Sequence, residues 1–328
     1  MGASVKDVPA NSAASAVIMG ENGEIIYEKN ADSQQSMAST TKIMTAFVVI
    51  ENCELDEIVD ITDECCNIEG SSMYLKAGES YTVRELLQGL MLVSGNDAAV
   101  ALALHTAGSI DAFAELMNAK CRQLEMNNSH FMNPHGLSEN GHYSTASDLA
   151  KLMLHCMQNP DFAELTATKA AAIKGHSFVN HNKLLQICPG CVGGKTGYTI
   201  AAGRCLVSAC RRDGDLFVCV TLNAPNDWDD HMKLYDWAFS QYSMRNITED
   251  VCFEIPVISG EKGSAYLKAE PLRILLPKTA EVEITAYMPR FVFAPIAEGE
   301  EGGSFSAVCG GKTVAEGKLV FTENIEAS

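Results

Sequence analysis

The distribution of apolar residues predicts a helix shortly after residue 40. The apolar residues recur at the spacing of one buried helical face, at Ile43, Ala46, Phe47 and Ile50. Ser39 stands just before this run, where serine and threonine side chains commonly accept hydrogen bonds from free backbone N–H groups. The simplest interpretation of Ser39 is therefore a helix cap.

Similar patterns predict both helices and strands over the first three quarters of the chain. The predicted elements are a β-hairpin at 16–19 and 24–27, a helix opened by the capping box Thr82-x-x-Glu85, helices at 98–105, 109–124, 145–157 and 229–241, and strands at 205–210 and 216–222. Strands thus flank a helical middle. This order predicts one antiparallel sheet built from N-terminal and C-terminal segments, with helices packed against it, in an α+β domain covering residues 1–247.

Short alternating runs replace the helical pattern after residue 247. They occupy 251–257, 272–276, 282–287, 291–294, 304–309 and 318–321. Gly and Pro separate the runs at intervals of about 8–12 residues, which is typical of an all-β sandwich. Residues 248–328 are therefore predicted to form a small C-terminal β-rich domain.

Charge and hydropathy exclude two kinds of partner. The 328-residue chain has 42 acidic and 24 basic residues, a formal net charge of −18. It carries no Lys/Arg cluster dense enough to follow a phosphate backbone, so nucleic acid is not an expected partner. No apolar run approaches the ~20 residues that span a bilayer. Since residues 1–15 also lack the pattern of a signal peptide, any membrane attachment is expected to use segments outside this sequence.

The twelve cysteines give no complete zinc or disulfide framework. Cys188 and Cys191 form the one tight pair, and no second pair has the spacing of a zinc ribbon. A thioredoxin-like motif would open a helix, whereas this pair precedes glycines and strand-like residues. We expect the cysteines to stay free or to pack, with a disulfide or a metal as the alternative, and we predict no metal site and no cofactor.

Three short motifs change the interpretation of Ser39. They follow in the order Ser39-x-x-Lys42, Ser94-x-Asn96 and, at 195–197, Lys-Thr-Gly. The first lies at a predicted helix start, the second in a loop between helices and the third in a strand. Residues three apart share a helix face, so the lysine amine is within reach of the serine hydroxyl. This favours a nucleophile with its general base over a cap.

Each motif alone is a weak signal. Ser-x-x-Lys recurs at 259–262 and Ser-x-Asn at 138–140, whereas Lys-Thr-Gly occurs once. Only one combination has all three motifs in order and in the predicted elements that the chemistry requires. The set is therefore far more specific than its parts.

This motif order is found in β-lactamases and penicillin-binding proteins, and longer segments narrow the resemblance. Segments 70–109, 131–153, 180–185 and 193–207 are similar to low-molecular-mass penicillin-binding proteins that are serine-type D-alanyl-D-alanine carboxypeptidases. The β-rich tail resembles the smaller C-terminal domain of that family. The resemblance implies a β-lactamase/transpeptidase-like catalytic domain. It also implies an exported protein, at the outer face of the bacterial cytoplasmic membrane or in the cell-wall space.

The resemblance also implies a role for each catalytic residue. Ser39 is expected to be the nucleophile and Lys42 its general base. Ser94 is expected to relay a proton to the leaving amine, while Asn96 orients Lys42 and the substrate amide. The backbone N–H groups of Ser39 and Tyr198 are expected to form the oxyanion hole.

The expected site needs a lysine with a lowered pKa and a residue that holds a carboxylate. A second cation, Lys195, together with partial burial would lower the pKa of Lys42. Lys195, Thr196, Gly197 and Tyr198 are assigned to substrate binding, with the lysine charge and the threonine hydroxyl holding the terminal carboxylate. The expected partners are peptidoglycan stem peptides ending in D-Ala-D-Ala, and β-lactam antibiotics as covalent inhibitors.

Two other functions of the same fold stay open from the sequence. A β-lactamase would need a deacylating base, and Glu164 does not stand in the expected Glu-x-x-x-Asn setting. A non-hydrolytic β-lactam sensor or wall-binding protein would acylate without turnover. His135 and Asn182 are expected to have structural roles in turns, and Arg204 is assigned no role.

Overall fold

A computed structural model describes residues 6–328, which divide into two units: Val8–Ala238, and Phe239–Ser328 together with residues 6 and 7. The division falls at 238/239 rather than at the predicted 247/248. The reason is that β10 (Tyr242–Asn246) pairs along its whole length with β13 (Arg273–Pro277). Local sequence placed this strand at the end of the first domain, whereas its hydrogen-bonding partner lies in the second.

A five-stranded antiparallel sheet is the main sheet of the first unit. Its strands follow the order β2-β1-β9-β8-β7. They are β1 (Ser15–Gly20), β2 (Ile25–Lys29), β7 (Cys191–Thr199), β8 (Gly203–Arg212) and β9 (Asp215–Leu222). Because β1 pairs with both β2 and β9, the N-terminal hairpin joins the C-terminal strands in one sheet. The predicted α+β architecture is confirmed.

The chain between β2 and β7 contains more helix than strand. The helices are α1 (Lys42–Asn52), α2 (Val83–Leu92), α3 (Asn96–Ala107), α4 (Ile110–Gln123), α5 (Ala146–Cys156), α6 (Pro160–Ala167) and α7 (Leu184–Ile187), and α8 (Asp227–Gln241) follows the sheet. Two small two-stranded antiparallel sheets accompany them, β3 (Ile58–Asp60) with β4 (Ser80–Thr82) and β5 (Ala170–Ile173) with β6 (His176–Val179). The predicted capping box of Thr82 and Glu85 is present at the start of α2. Within residues 6–328 no single helix is long and apolar enough to cross a membrane. Of the helices in this range, only α3 and α4 taken together reach the required length and hydropathy, and the two helices are bent by 84° relative to each other.

Helix α1 lies at the centre of the first unit. The sequence pattern predicts one buried face, but every residue from Lys42 to Val49 is buried. A helix buried on all sides is a core helix rather than a surface helix. The N-terminus of α1, which carries Lys42, is therefore packed against other residues on all sides.

After the end of α8, the regular secondary structure of the second unit consists of strands. The remaining strands are β11 (Cys252–Ile258), β12 (Ser264–Ala269), β14 (Val282–Tyr287), β15 (Val292–Phe293), β16 (Glu301–Cys309) and β17 (Lys312–Phe321). They form a sheet of order β14-β16-β17-β12-β11-β15, next to the two-stranded sheet of β10 and β13. Leu267, Phe305, Leu319 and Phe321 are in the buried core of this unit. The predicted β-rich C-terminal domain is confirmed.

Candidate active site

Ser39 lies in a short 3-10 turn, Ala38–Thr41, that leads into α1. Ala38 has a positive φ of 49°, a conformation that non-glycine residues seldom adopt and that is concentrated at functional sites. A neighbouring loop packs against this turn. A Cβ on Gly136, whose φ is 90°, would lie 2.0 Å from the carbonyl oxygen of Ala38. Only glycine fits this approach, so the loop holds the turn and Ser39 in place.

Lys42 is the first residue of α1, and its side chain is 0% exposed. Its Nζ contacts three oxygens, at 3.0 Å to Ser39 Oγ, 2.6 Å to Asn96 Oδ1 and 2.7 Å to the carbonyl of His135. A neutral amine has two N–H bonds and one lone pair. Because the amide and carbonyl oxygens only accept, they take the two N–H groups. The lone pair is then directed to the Ser39 hydroxyl, which donates to it.

The environment of Lys42 favours its neutral form. Burial lowers the pKa of Lys42 well below its ordinary value, and the positive charge of Lys195 lowers it further, while Asp97 acts in the opposite direction. A neutral amine is the form that accepts a proton from a hydroxyl. The structure therefore brings Ser39 and Lys42 together in the arrangement that the sequence analysis expected of a nucleophile and its base.

Asn96, the first residue of α3, orients Lys42. Its Oδ1 accepts from Lys42 Nζ at 2.6 Å, and its Nδ2 donates to the carbonyl of Glu69 at 2.5 Å. The second contact decides which end of the amide faces the lysine. The side chain thus accepts from Lys42 in a fixed direction, which agrees with the role assigned from the sequence.

Asp97 is a residue that the sequence analysis missed. Its carboxylate is 1% exposed and accepts from Ser72 Oγ at 2.6 Å and from the N–H groups of Met73 and Leu75 at 2.9 and 3.1 Å. These bonds hold the segment whose Glu69 carbonyl orients the neighbouring asparagine. The only signal in the sequence was an acidic residue in the first turn of a helix, which is common in helices of every function.

Ser94 lies between α2 and α3 with a positive φ of 63°. Ser94 does not cap α3, because Gly95 is the N-cap and makes no side-chain capping hydrogen bond. Within residues 6–328 the buried Ser94 Oγ has no hydrogen-bond partner. A buried unpaired hydroxyl costs about 1–3 kcal/mol. Together with its place in the wall of the cleft, this indicates a hydroxyl that serves a bound molecule.

Strand β7 brings the Lys-Thr-Gly motif alongside Ser39. Thr196, Gly197 and Tyr198 line the same cleft as Ser39. Lys195 lies behind them, 1% exposed, and its Nζ donates to the carbonyl of Thr196 at 2.9 Å. Burial lowers the pKa of Lys195 to about 7. The strand therefore offers a hydroxyl at the surface of the cleft and a cation beneath it.

Gly197 permits the close approach of β7 to the nucleophile. A Cβ at this position would lie 3.0 Å from the Ser39 backbone nitrogen and 3.0 Å from the Met37 carbonyl oxygen. We expect Gly197→Ala to push the strand away from Ser39 and to reduce acylation by a β-lactam roughly 10- to 100-fold, because small displacements of reacting groups are costly. Stopped-flow acylation would measure this.

A matched control for this substitution is available in the same unit. Gly214 lies in the turn between β8 and β9, and no atom lies within 4 Å of a Cβ built there, although its φ of 91° adds strain to any substitution. Gly214→Ala should leave the acylation rate near that of the unmodified protein. Equal acylation rates for the two variants would contradict the proposed role of the close approach at Gly197.

The cleft has a volume of about 290 Å³ and includes residues to which the sequence analysis gave no role. Its lining consists of Ser39, Ser71, Ser94, His181, Thr196, Gly197, Tyr198, Arg204, Asp227 and Trp228. Arg204 Nη2 donates to Asp227 Oδ1 at 2.7 Å, and its guanidinium lies 5.6 Å from the ring centre of Trp228. Arg204 is the cross-strand partner of Tyr198. The sequence did not predict this wall, because Asp227 and Trp228 lie at the start of α8 and meet Arg204 only in the folded chain.

The structure places three further residues considered in the sequence analysis, and among residues 6–328 the buried Nδ2 of one of them, Asn182, has no hydrogen-bond partner. His135 Nδ1 accepts from the N–H of Leu137 at 3.2 Å, and burial lowers the pKa of His135 to about 4. Asn182 Oδ1 accepts from the N–H of Leu184, also at 3.2 Å. Glu164 is exposed on α6 and is not among the residues that line the cleft. The carbonyl of His135, rather than its ring, contributes to the site by accepting from the lysine at position 42.

The second copies of the motifs lie in loops. Ser259 and Lys262 fall between β11 and β12, and Lys262 forms an ion pair with Glu323. Ser138 and Asn140 are exposed before α5. Neither pair begins a helix. The structure thus separates the motif copies that form the cleft from those that do not.

Comparisons with known proteins agree with this geometry. The family model described as D-alanyl-D-alanine carboxypeptidase matches residues 3–226. The chain is 31% identical to the D-alanyl-D-alanine carboxypeptidase DacF of Bacillus subtilis, over 97% of this chain and 87% of that protein. It is 37% identical to DacB2 of Mycobacterium tuberculosis, over 67% and 79%. Penicillin-binding protein 5 of Haemophilus influenzae superposes with a TM-score of 0.82 at 28% identity, over 98% of this chain and 99% of that one. With its serine, lysine and Lys-Thr-Gly strand in one cleft, the chain belongs to the D-alanyl-D-alanine carboxypeptidase family of serine peptidases, the low-molecular-mass penicillin-binding proteins.

Proposed function

We propose that this chain removes the terminal D-alanine from peptidoglycan stem peptides ending in D-Ala-D-Ala, through an acyl-enzyme at Ser39. The observation that carries the proposal is the 3.0 Å contact between Lys42 Nζ and Ser39 Oγ, at a cleft also lined by Ser94 and Thr196. The names of the relatives support the same activity. No metal or cofactor takes part in the proposed reaction.

Acylation begins with the transfer of the Ser39 proton to neutral Lys42. The Ser39 oxygen then attacks the carbonyl carbon of the penultimate D-alanine. Negative charge develops on the carbonyl oxygen, and the backbone N–H groups of Ser39 and Tyr198 are proposed to stabilise it. Lys42 gains a positive charge in this step, and the acceptors Asn96 Oδ1 and the His135 carbonyl stabilise the ammonium.

Collapse of the tetrahedral intermediate breaks the bond to the terminal D-alanine. The leaving nitrogen needs a proton. We propose that the unpartnered hydroxyl of Ser94 passes this proton from Lys42 to the nitrogen. The carboxylate of the leaving D-alanine is proposed to bind to the hydroxyl of Thr196 and the charge of Lys195. Water then hydrolyses the ester at Ser39 and restores the free serine.

A β-lactam has the two features that this cleft is proposed to recognise, a carboxylate and a reactive amide. Attack by Ser39 opens the ring, and the leaving nitrogen stays attached to the acyl group. It therefore remains in the cleft and obstructs water. β-Lactams are proposed to inhibit the enzyme as slowly released covalent adducts.

The proposed activity is tested by incubating the protein with a model peptide that ends in D-Ala-D-Ala and measuring free D-alanine. The matched control is the same peptide ending in D-Ala-L-Ala, from which we expect no release of L-alanine. Absence of D-alanine release, together with normal penicillin labelling, would instead favour a non-hydrolytic sensor. Rapid turnover of the penicilloyl adduct would favour a β-lactamase.

The activity should depend on the protonation of Lys195. Its pKa of about 7 means that the side chain is charged below this pH and neutral above it. Since the charged form is proposed to hold the substrate carboxylate, kcat/KM for the peptide should fall as the pH rises through about 7. Lys42 affects the activity in the opposite direction. When the pH falls through the lowered pKa of Lys42, its amine is protonated and no longer acts as a base.

A β-lactam methyl ester provides the control for this pH dependence. It has no carboxylate, so its rate of acylation should lack the alkaline decline seen with the peptide. A peptide profile that stays flat from about pH 6 to about pH 9 would contradict a carboxylate-binding role for Lys195.

We also propose that the protein acts outside the cytoplasm, where the peptidoglycan substrate lies. Fractionation of the producing bacterium with an antibody to this chain would test the location. Recovery of the protein in the cytoplasmic fraction alone would contradict it.

A further inference from the structure

The helices that begin at the active site meet again at their other ends. Helix α1 begins with Lys42 and ends at its C-cap, Cys53. Helix α3 begins with Asn96 and carries His105 in its last turn. Cys53 Sγ lies 3.3 Å from the hydroxyl of Thr106, the residue after His105, so the two helix ends are in direct contact.

A third side chain, Glu57, completes a cluster at this contact. One ligand atom each from Cys53, Glu57 and His105 lies within 4.8 Å of the other two, and this is the one group of its kind found among residues 6–328. His105 Nε2 and Glu57 Oε2 are 3.0 Å apart. Two ligands on a tetrahedral zinc ion with bonds of about 2.0–2.1 Å are about 3.3 Å apart, so small side-chain rotations bring these atoms to coordinating positions.

The ligand types in the cluster match the chemistry of zinc. Thiolate sulfur, imidazole nitrogen and carboxylate oxygen are the three ligand types that Zn²⁺ uses in proteins. Glu57 is already oriented, because its Oε1 accepts from the N–H of Glu54 at 2.7 Å while Oε2 faces His105. The side chains of His105 and Glu57 are 24% and 43% exposed. An ion can therefore reach the cluster, and a water molecule can supply a fourth ligand.

The surroundings of the cluster are strongly acidic. Cys53 and Glu57 line a cavity of about 460 Å³. Its charged lining consists of Glu51, Glu54, Asp56, Glu57, Asp161 and one cation, Arg84. Lys120 pairs with Glu51 at 2.6 Å, and the remaining acidic groups still outnumber Arg84. Such a cavity concentrates divalent cations near the three ligands.

We propose that Cys53, Glu57 and His105 form a binding site for a zinc-class divalent cation that ties the C-terminal end of α1 to that of α3. The site is structural, because it lies at the opposite ends of the helices from Lys42 and Asn96. It is independent of the proposed enzymatic function.

Binding exchanges protons for the metal and involves no oxidation or reduction. A cysteine thiol must give up its proton to bind the ion. Coordination releases that proton to solvent and leaves a thiolate bound to the ion. His105 contributes the lone pair of Nε2 in place of its contact with Glu57. Affinity should consequently increase with pH.

Cobalt(II) is the appropriate probe, because a cobalt–thiolate bond gives a charge-transfer absorption that oxygen and nitrogen ligands do not. The full-length protein, kept reduced, should bind one equivalent of Co²⁺ with this absorption, and Zn²⁺ should displace it. Cys53→Ser should lose the absorption, and His105→Gln and Glu57→Gln should weaken binding at least tenfold. The control Cys66→Ser should bind like the unmodified protein, since Cys66 lies outside the cluster.

The structural role has its own readout in thermal unfolding. At a free zinc concentration about 100 times Kd, the melting temperature should rise by roughly 5–10 °C in the unmodified protein and in Cys66→Ser. It should not rise in Cys53→Ser or His105→Gln. Failure of the unmodified protein to bind Co²⁺ stoichiometrically would overturn the proposal, and so would a thiolate absorption that persists in Cys53→Ser. Peptidase activity has no part in either test.

Discussion

Replacing Ser39 by alanine is expected to abolish both D-alanine release and covalent labelling by a fluorescent penicillin. The substitution removes the oxygen that forms the acyl bond, and neither the cleft nor Lys42 can replace it. Loss of a serine nucleophile in other serine hydrolases lowers turnover by roughly 10⁶-fold. The residual rate should therefore be indistinguishable from the uncatalysed reaction in an ordinary assay.

The chain provides its own control for this substitution. Ser259 begins the second Ser-x-x-Lys motif, between β11 and β12, and Ser259→Ala should keep full activity and full labelling. Mass spectrometry of the penicillin-treated protein should place the adduct on the peptide that contains Ser39. Labelling that persists in Ser39→Ala would remove this residue from its role.

Replacing Lys42 by alanine is expected to lower the rate of acylation by roughly 10²–10⁴-fold, the usual contribution of a general base. Without the amine, the Ser39 proton has no acceptor at 3.0 Å. The rate constant for penicillin acylation, measured by stopped-flow fluorescence, isolates this step from deacylation. Binding before acylation should change much less, because Lys42 is buried behind the serine.

Arginine at this position tests whether Ser39 needs a base or only a positive charge. Lys42→Arg places a permanent cation beside Ser39, and a guanidinium cannot act as a base because it does not give up its proton in proteins. It should therefore be as slow as Lys42→Ala. Lys262→Ala, in the second copy of the motif, is the control and should acylate normally. Near-normal acylation in Lys42→Arg would show that charge rather than proton transfer is what Ser39 needs.

Folding must be checked for both Lys42 variants, because the side chain is completely buried. The amides and carbonyls that it contacts lose a partner, and each such loss costs about 1–3 kcal/mol. Circular dichroism and the melting temperature measure this effect. A folded variant that acylates slowly supports the assignment of Lys42 as the base.

Local signals were sufficient for many elements of the fold. The β1–β2 hairpin, the capping box at Thr82 and the helix predicted at 109–124, which is α4, are all present. Each depends on residues close together in the chain, through turn chemistry or the hydrogen bonds of a helix start. The strand β10 was assigned to the wrong unit because its partner β13 is about 30 residues away, and pairing over that distance leaves no local pattern.

The sequence by itself determined the family, the order of the three motifs and the residue types that the chemistry requires. Only the tertiary structure decided that Lys42 is completely buried, that its amine donates a hydrogen bond to the carbonyl of His135, and that Ser94 keeps an unpaired hydroxyl in the cleft. It also decided that Arg204 and Asp227 form a cleft wall. The physical reason is that a pKa and a hydrogen bond depend on neighbours in space. Motif spacing specifies which groups are available, whereas packing between distant segments sets their charge and direction.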